Sequence, residues 1–203
     1  MRKAKIVRKT KETEIICNLN IDGEGKAKIK TGIDFFDHML ELFAFHGLFD
    51  LEIKAKGDLK VDLHHTNEDV GIVLGQAFRK ALGDMQGIRR FGFASVPMEG
   101  VVANVTVDIS GRGFYRLVPW KTMYSEKLQP EEQEAYKFKE AMHFFDSFAK
   151  HSGINLNIKV EPVSQDLHTT LEPVFKALGL ALDQATQIDP RRKGIPSTKG
   201  IID

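Results

Sequence analysis

The sequence predicts an α+β fold that is internally duplicated, each half a mostly antiparallel four-stranded sheet covered on one face by two helices. Three observations point there. The chain repeats itself: DLHHTNEDVGIVLGQAFRKALGD, from Asp62, aligns without a gap with DLHTTLEPVFKALGLALDQATQID, from Asp166. Upstream, DHMLELFAFHGLFDLEIK aligns with MHFFDSFAKHSGINLNIK, so that His38 meets His143, Phe43 meets Phe148, His46 meets His151 and Leu51 meets Leu156, with one residue of gap in the connecting loop. NLNIDGEG near Asn18 weakly resembles NVTVDISGRG near Asn104. Chance pairs Leu and Ala easily, but not histidines at three positions. The second observation is that hydrophobic periodicity switches between two and 3.6 in the same order in both halves. The third is that each helical segment has one apolar face, which needs a sheet or another helix to cover it.

The elements follow in order. Thr13 to Asp22 alternates and is β-branched, as a half-buried strand should be. Gly23-Glu24-Gly25 reads as a turn and Lys26 to Lys30 alternates again, which predicts a hairpin. Phe35 to Phe45 is apolar at helical spacing and stops at His46-Gly47. Leu51 to Ala55 alternates as a strand. Asp62 can cap a second helix, whose face is Val70, Val73, Leu74, Ala77, Phe78 and Leu82, with Gly83 after it. In the second half, Val101 to Ile109 reads as a strand and Phe114 to Pro119 as its hairpin partner. Lys137 to Lys150 reads as a helix, Ile154 to Val160 as a strand and Leu167 to Gln184 as the last helix. Thr122 to Glu134 is charged, contains Pro130, and predicts a mobile surface loop. The halves are expected over residues 1–95 and 96–203, the second carrying a basic C-terminal tail, as one compact fused unit.

Composition narrows the functional classes. The 203 residues are 42% hydrophobic, enough for a real core. With 29 basic and 28 acidic residues the net charge is +1, which gives no general reason to expect nucleic acid or membrane as a partner, though a small basic site for an anion fits. The one cysteine, Cys17, excludes an internal disulfide and suits a reducing cytoplasm. The basic start, MRKAKIVRKTKETEII, lacks the long apolar run of a signal peptide. No window approaches the roughly 18–20 apolar residues of a membrane span.

The histidines carry the chemistry. His64 and Glu68 are four apart, and so are His168 and Glu172, so each pair shares a helix face and can grip one metal ion. His65 points about a hundred degrees round the helix from His64, so the two serve different ions more easily than one. His38 and His143 sit at equivalent positions and can complete the shells. Imidazole with carboxylate suits divalent Mn, Fe, Zn, Co or Ni. A single His–Glu pair on a helix is ordinarily just an exposed hydrogen bond; two copies in register, backed by a third paired histidine, favour metal. The pattern does not name the reaction.

FFDHML, HGLFDLEIKAKGDLKVDLHHTNEDVGIVLGQA, GIRRFG, DISGR, HFFDSFA, EPVFKA and DPRRKGIPSTKG, in this order, resemble the imidazoleglycerol-phosphate dehydratase family from about Arg8 to Ile202. The resemblance implies a duplicated α+β fold, a large homo-oligomeric cage (a 24-mer) and two manganese ions per site with ligands shared between subunits. It implies loss of water from a small phosphorylated imidazole, imidazole glycerol phosphate, giving imidazole acetol phosphate in histidine biosynthesis. By position the metal ligands correspond to His38, His64, His65, Glu68, His143, His168 and Glu172. The acid/base carboxylate corresponds to Glu12, with His46 and Glu99 as further catalytic candidates. The phosphate-binding groups correspond to Arg90, Arg112, Lys176, Ser197 and Lys199.

That chemistry wants such residues. The hydrogen removed lies on a carbon that is not acidic. If the substrate ring binds the metals as imidazolate, it can push electrons and help expel hydroxide, while a carboxylate moves protons. The phosphate fixes position; Arg holds it by paired hydrogen bonds and Lys as a point charge.

The chain also departs from the family pattern. Thr169 stands where a second histidine is expected after His168. Pro97-Met98-Glu99-Gly100 replaces PMDE, and Ser110-Gly111-Arg112-Gly113 replaces SGRP. VEPVSQD before Leu167 lacks the usual Gly and Asn, and Pro173 lies in the first turns of a helix, where proline is tolerated only near the start. Three readings therefore stand: a dehydratase with one altered metal site, a related lyase on another substrate, or a non-enzymatic paralogue that keeps the oligomeric metal-binding scaffold.

Overall fold

The computed structural model describes residues 2–118, 130–133 and 135–202. Two four-stranded sheets each carry two helices on one face. The first half contains β1 (Lys3–Lys9), β2 (Thr13–Asn20), β3 (Ala27–Lys30), α1 (Asp34–His46), β4 (Asp50–Gly57) and α2 (His64–Leu82). The second contains β5 (Phe91–Met98), β6 (Val101–Asp108), β7 (Phe114–Val118), α3 (Phe138–Ser152), β8 (Asn155–Glu161) and α4 (Leu167–Thr186). Sheet order is β1-β2-β4-β3 in one half and β5-β6-β8-β7 in the other, two antiparallel pairings and one parallel pairing in each.

The strand alternation does what it implies. Ile15, Cys17 and Leu19 of β2, and Val101, Ala103, Val105 and Val107 of β6, face inward and are buried. Every residue assigned from sequence to the inner face of α2 is buried. Across the middle, α2 packs on α3 and α1 on α4, so each half covers its own sheet but pairs its helices with the other half, in one continuous core. Two glycines at equivalent repeat positions permit this. A Cβ at Gly75 would come 2.7 Å from the Phe148 carbonyl oxygen, and one at Gly179 would come 2.5 Å from that of Phe43.

Two sequence expectations need correction. The predicted β2–β3 hairpin does not form: β4 lies between them, and β3 pairs parallel with β4, Ile29 opposite Ile53. The Gly23–Gly25 segment is a crossing rather than a hairpin turn, held by the Asp50 carboxylate, which accepts from the Glu24 and Lys26 amides at 2.9 and 3.3 Å. The same correction applies to β6 and β7, which are separated by β8, with β7 and β8 parallel. Alternation identifies a strand but not its neighbour. The fourth strand of each sheet, β1 and β5, was not assigned from sequence. In β5 the inward positions are Gly92 and the half-buried Ala94 and Val96, and a Cβ on Gly92 would come 1.9 Å from the Ala181 carbonyl oxygen of α4. The largest apolar side chains, Phe91 and Phe93, face out at 60% and 71% exposure, which masks the inner face in the sequence. Proline is compatible with an edge strand, and Pro97 sits in one. Pro173 does not end α4, which runs unbroken past it. Of the predicted loop Thr122–Glu134, all but residues 130–133 lie outside the described residues, and its predicted mobility with them.

Candidate metal centre

The exchanged helix pairs bring histidines of one half against those of the other. On α1 and α4, His38 Nε2 lies 3.6 Å from Glu172 Oε2, and His168 Nε2 lies 2.5 Å from the same oxygen. The ligand atoms of His38, His168 and Glu172 all fall within 4.8 Å of one another. Two imidazole nitrogens and a carboxylate oxygen so gathered fit a divalent first-row ion. On α2 and α3, the His64 and His143 rings lie 4.7 Å apart, edge to face, and His64 Nε2 is 3.4 Å from Glu68 Oε2. This second cluster is the repeat-related counterpart of the first, more open and less tightly gathered.

His65 points to a third place, its ring centroid 6.3 Å from that of His64. Its Nδ1 lies 3.1 Å from Asp58 Oδ2 and 4.0 Å from Glu12 Oε2. The Asp58 hydrogen bond, with the nearby charges of Glu12 and Asp62, holds the His65 imidazole above its ordinary pKa despite some desolvation. Glu12 is brought there by the β1–β2 turn. The Thr10 hydroxyl accepts from the amides of Glu12 and Thr13 at 3.1 and 3.0 Å. The turn is pinned to α2 because Asp69 takes the Arg8 guanidinium at 2.9 Å and the Thr13 hydroxyl.

Glu172 faces two ways. Its Oε2 meets the imidazoles and its Oε1 the Lys176 ammonium at 2.5 Å. Burial pushes its carboxyl up, but Lys176 and His168 together hold it below its usual range. His46, at the end of α1, is lowered by burial and then by the Lys176 charge. Thr169 is turned into the helix cap. The Asp166 carboxylate accepts from the Thr169 hydroxyl at 2.5 Å and from the Thr169 and His168 amides at 2.8 and 3.4 Å. These bonds, the hydroxyl's first, hold Asp166 below the usual carboxylate range.

The remaining candidates lie elsewhere. The Arg90 guanidinium is paired with Asp108 at 2.6 and 3.1 Å and donates to the Pro196 carbonyl at 3.0 Å, which ties the basic tail to β5 and β6. In that tail Ser197 is half-buried and Lys199 exposed, the Ser197 hydroxyl accepting from the Lys199 amide at 3.2 Å. The Arg90 amide donates to the Ala185 carbonyl at the end of α4. Glu172 lies 13 residues earlier on that helix, about 20 Å at a helical rise of about 1.5 Å per residue. Of the phosphate candidates, only Lys176 adjoins a histidine cluster through a contact described above. Arg112 is exposed in the loop before β7. Glu99 and Gly100 form the two-residue turn between β5 and β6, with φ of 47° and 88°. Two carboxylates escaped sequence reasoning: Asp58 on His65, and Glu140, buried against His64. Asp58 follows Gly57 in the segment leading to α2 and could have been noticed as an acid near the histidine pair. Glu140 has no such signal, because its counterpart in the first half is Phe35. A cavity of ≈ 590 Å³ opens on the outer face of the first sheet among Lys3, Lys5, Asn18, Lys28 and Glu52, and none of the candidate residues lines it.

Fold and clusters define a class, an internally duplicated α+β scaffold whose histidine–carboxylate sites are each built from both repeats. The family model for imidazoleglycerol-phosphate dehydratase matches residues 31–182. The chain belongs to the imidazoleglycerol-phosphate dehydratase family and is a hydro-lyase of that family. It is 53% identical over 203 residues to imidazoleglycerol-phosphate dehydratase of Thermoanaerobacter sp. (strain X514), covering 100% of both chains. To that of Methanocella arvoryzae it is 49% identical over 202 residues, again covering 100% of both. The crystal structure of the enzyme from Pyrococcus furiosus in complex with (S)-C348 superposes with a TM-score of 0.79 at 33% identity, over 97% of this chain and 99% of that one. The Staphylococcus aureus enzyme gives 0.77 at 28%, over 92% and 99%. No helix among the described residues is long and apolar enough to cross a membrane.

Proposed function

We propose that this chain removes water from imidazole glycerol phosphate to give imidazole acetol phosphate, a step of histidine biosynthesis in the cytoplasm, with two divalent ions, manganese foremost, held by His38, His64, His65, Glu68, His143, His168 and Glu172. The observation that carries the reading is the pair of repeat-related clusters, His38–His168–Glu172 and His64–Glu68–His143, in a chain about half identical to named dehydratases over its full length. Bound divalent ions supply Lewis acidity toward the substrate's imidazole.

The chain's own residues do the rest. Glu12, close to His65 and on a turn fixed through Asp69, exchanges the carbon-bound proton. His46, whose lowered pKa keeps it neutral at physiological pH, and Glu99 are further proton-transfer groups. Lys176, Arg90, Arg112, Ser197 and Lys199 bind the phosphate and orient the substrate. About 20 Å of α4 separates the Arg90 and tail groups from Glu172 within one chain, which supports a site completed by neighbouring subunits in a large homo-oligomer, a 24-mer by family resemblance. The duplicated unit divides between the end of α2 at Leu82 and the start of β5 at Phe91, a few residues before position 95.

A paralogue without turnover is the second reading, favoured by Thr169, whose hydroxyl and amide are committed to Asp166. Metal content per subunit, measured on the same preparation assayed for water loss with added Mn²⁺, decides between them. About two ions with turnover support the dehydratase and mean that Thr169 is tolerated. One ion without turnover favours the paralogue.

A further inference from the structure

We propose that Glu140 is a positioning residue for His64, fixing that imidazole as a metal ligand and making the two repeat-related clusters unequal. The inference rests on the reading of His64 as a ligand.

Glu140 lies in the first turn of α3 with only 5% of its side chain exposed. Its Oε2 lies 3.2 Å from His64 Nδ1. The far nitrogen, Nε2, is the one turned toward Glu68. A carboxylate accepting the Nδ1 proton sets the tautomer, leaves the Nε2 lone pair for a cation and raises its basicity. The other Glu140 oxygen, Oε1, lies 3.4 Å from the Lys139 ammonium, which is 61% exposed. The helix N-terminus favours an anion at this position.

The placement is rigid. The Glu140 carbonyl accepts from Asn67 Nδ2 at 2.7 Å, and Asn67 Oδ1 accepts from the Tyr136 hydroxyl at 2.8 Å, all three residues being buried. Asn67 stands on α2 one residue before Glu68, so this network clamps α3 to the helix that carries His64.

The repeat provides an internal control. Glu140 precedes His143 by three, and Phe35 precedes His38 by three. Phe35 packs edge-on against His168, centroids 6.1 Å apart, where Glu140 meets His64. One imidazole therefore has a buried anion behind it and the other an aromatic ring. Thr169 deepens the inequality, since it stands opposite His65 in the repeat.

Co²⁺ titration of the full-length protein, followed by visible absorption, tests this. Wild type is expected to load two classes of ion. Glu140→Leu should weaken one class about 10–100-fold and leave the other unchanged, with its absorption band shifted. Glu140→Gln, whose amide oxygen still accepts the Nδ1 proton, should recover much of the loss; it also serves if the Leu variant does not fold. Equal loss in both classes, or loss in Gln and Leu alike with a parallel fall in metal-free melting temperature, would reduce Glu140 to a structural role and overturn the proposal. An unchanged Glu140→Leu titration overturns it too. His64→Ala separates the underlying reading: if that variant loads metal like wild type, His64 is not a ligand and both fall; if it loses one class while Glu140→Leu loses none, only the positioning role falls.

Discussion

Where a carboxylate stands behind an imidazole, as at His64 and His65, it sets how that imidazole meets protons and metals. His65 is the clearest case, because Asp58, at 3.1 Å, raises its pKa in the metal-free protein. A group whose folded pKa lies above its unfolded value, about 6.5 for histidine, stabilises the fold fully below that value and loses the contribution as pH rises through the folded pKa. Metal-free wild type should thus melt higher than Asp58→Asn near pH 5.5–6, by a difference that shrinks toward pH 8. In the presence of a divalent ion the sign turns, because only neutral imidazole is a ligand. Metal affinity should fall more steeply on acidification in wild type than in Asp58→Asn. Melting curves and metal titrations at several pH values check both; identical profiles for the two proteins would remove Asp58 as the partner. His38, His64, His143 and His168, with Glu68 and Glu172, were legible in the sequence because they recur at fixed spacing, whereas His65 stands opposite Thr169 and was singled out by its place beside His64. Glu140 was not legible, because it meets His64 through the fold and its counterpart is Phe35; Asp58 offered only its closeness in sequence to the histidine pair, with no acid opposite it in the other repeat.

At the scale of elements, helices were read well and strand neighbours poorly. A helix declares its buried face within its own sequence, as Val70, Val73, Ala77 and Phe78 do. A strand's partner depends on how the chain crosses the sheet, and here β3 and β7 each join the far side of the strand that follows them, β4 or β8. Helix starts are local again, and α4 has a side-chain cap. Replacing Asp166 by Ala removes the acceptor of three hydrogen bonds from His168 and Thr169 and should cost about 1 kcal/mol at neutral pH. Because Asp166 is held below its usual pKa, that difference is present above about pH 4 and fades as pH falls through the folded value. Urea unfolding at pH 7 and pH 3 measures it. Close helix contacts are equally specific. A Cβ on Gly179 would lie 2.5 Å from the Phe43 carbonyl oxygen, a main-chain atom that cannot swing aside. Gly179→Ala should destabilise by roughly 1–3 kcal/mol through overpacking and, by parting α1 from α4, separate His38 from His168. Gly83→Ala provides a contrast, since no atom lies within 4 Å of its added Cβ and its cost comes only from φ of 59°.

For the molecule as a whole, duplication is what makes two clusters out of one pattern. The repeats exchange helices, α1 with α4 and α2 with α3, so neither half holds either cluster by itself. The same logic extends outward. The clusters are open, with His38 45% exposed and His143 exposed, and the Arg90 and tail groups lie at the far end of α4. Exposed apolar side chains, Phe45, Leu48, Phe91, Phe93 and Phe114 among them, supply surface that a neighbouring copy can cover. If ligands are shared across such contacts, an ion that binds only the assembled form stabilises assembly by mass action. Ten times more free metal than its dissociation constant is then worth about 1.4 kcal/mol per linking site, and in the proposed homo-oligomer several such sites would add. Chelated protein should accordingly elute as a smaller species on size exclusion and return to the large form when Mn²⁺ is added back. Glu140→Leu, which keeps the surface but weakens one cluster, should need more Mn²⁺ for the same return. Elution of chelated protein at the size of the metal-loaded form would mean that apolar contacts alone hold the assembly, and that the ions serve chemistry without joining subunits.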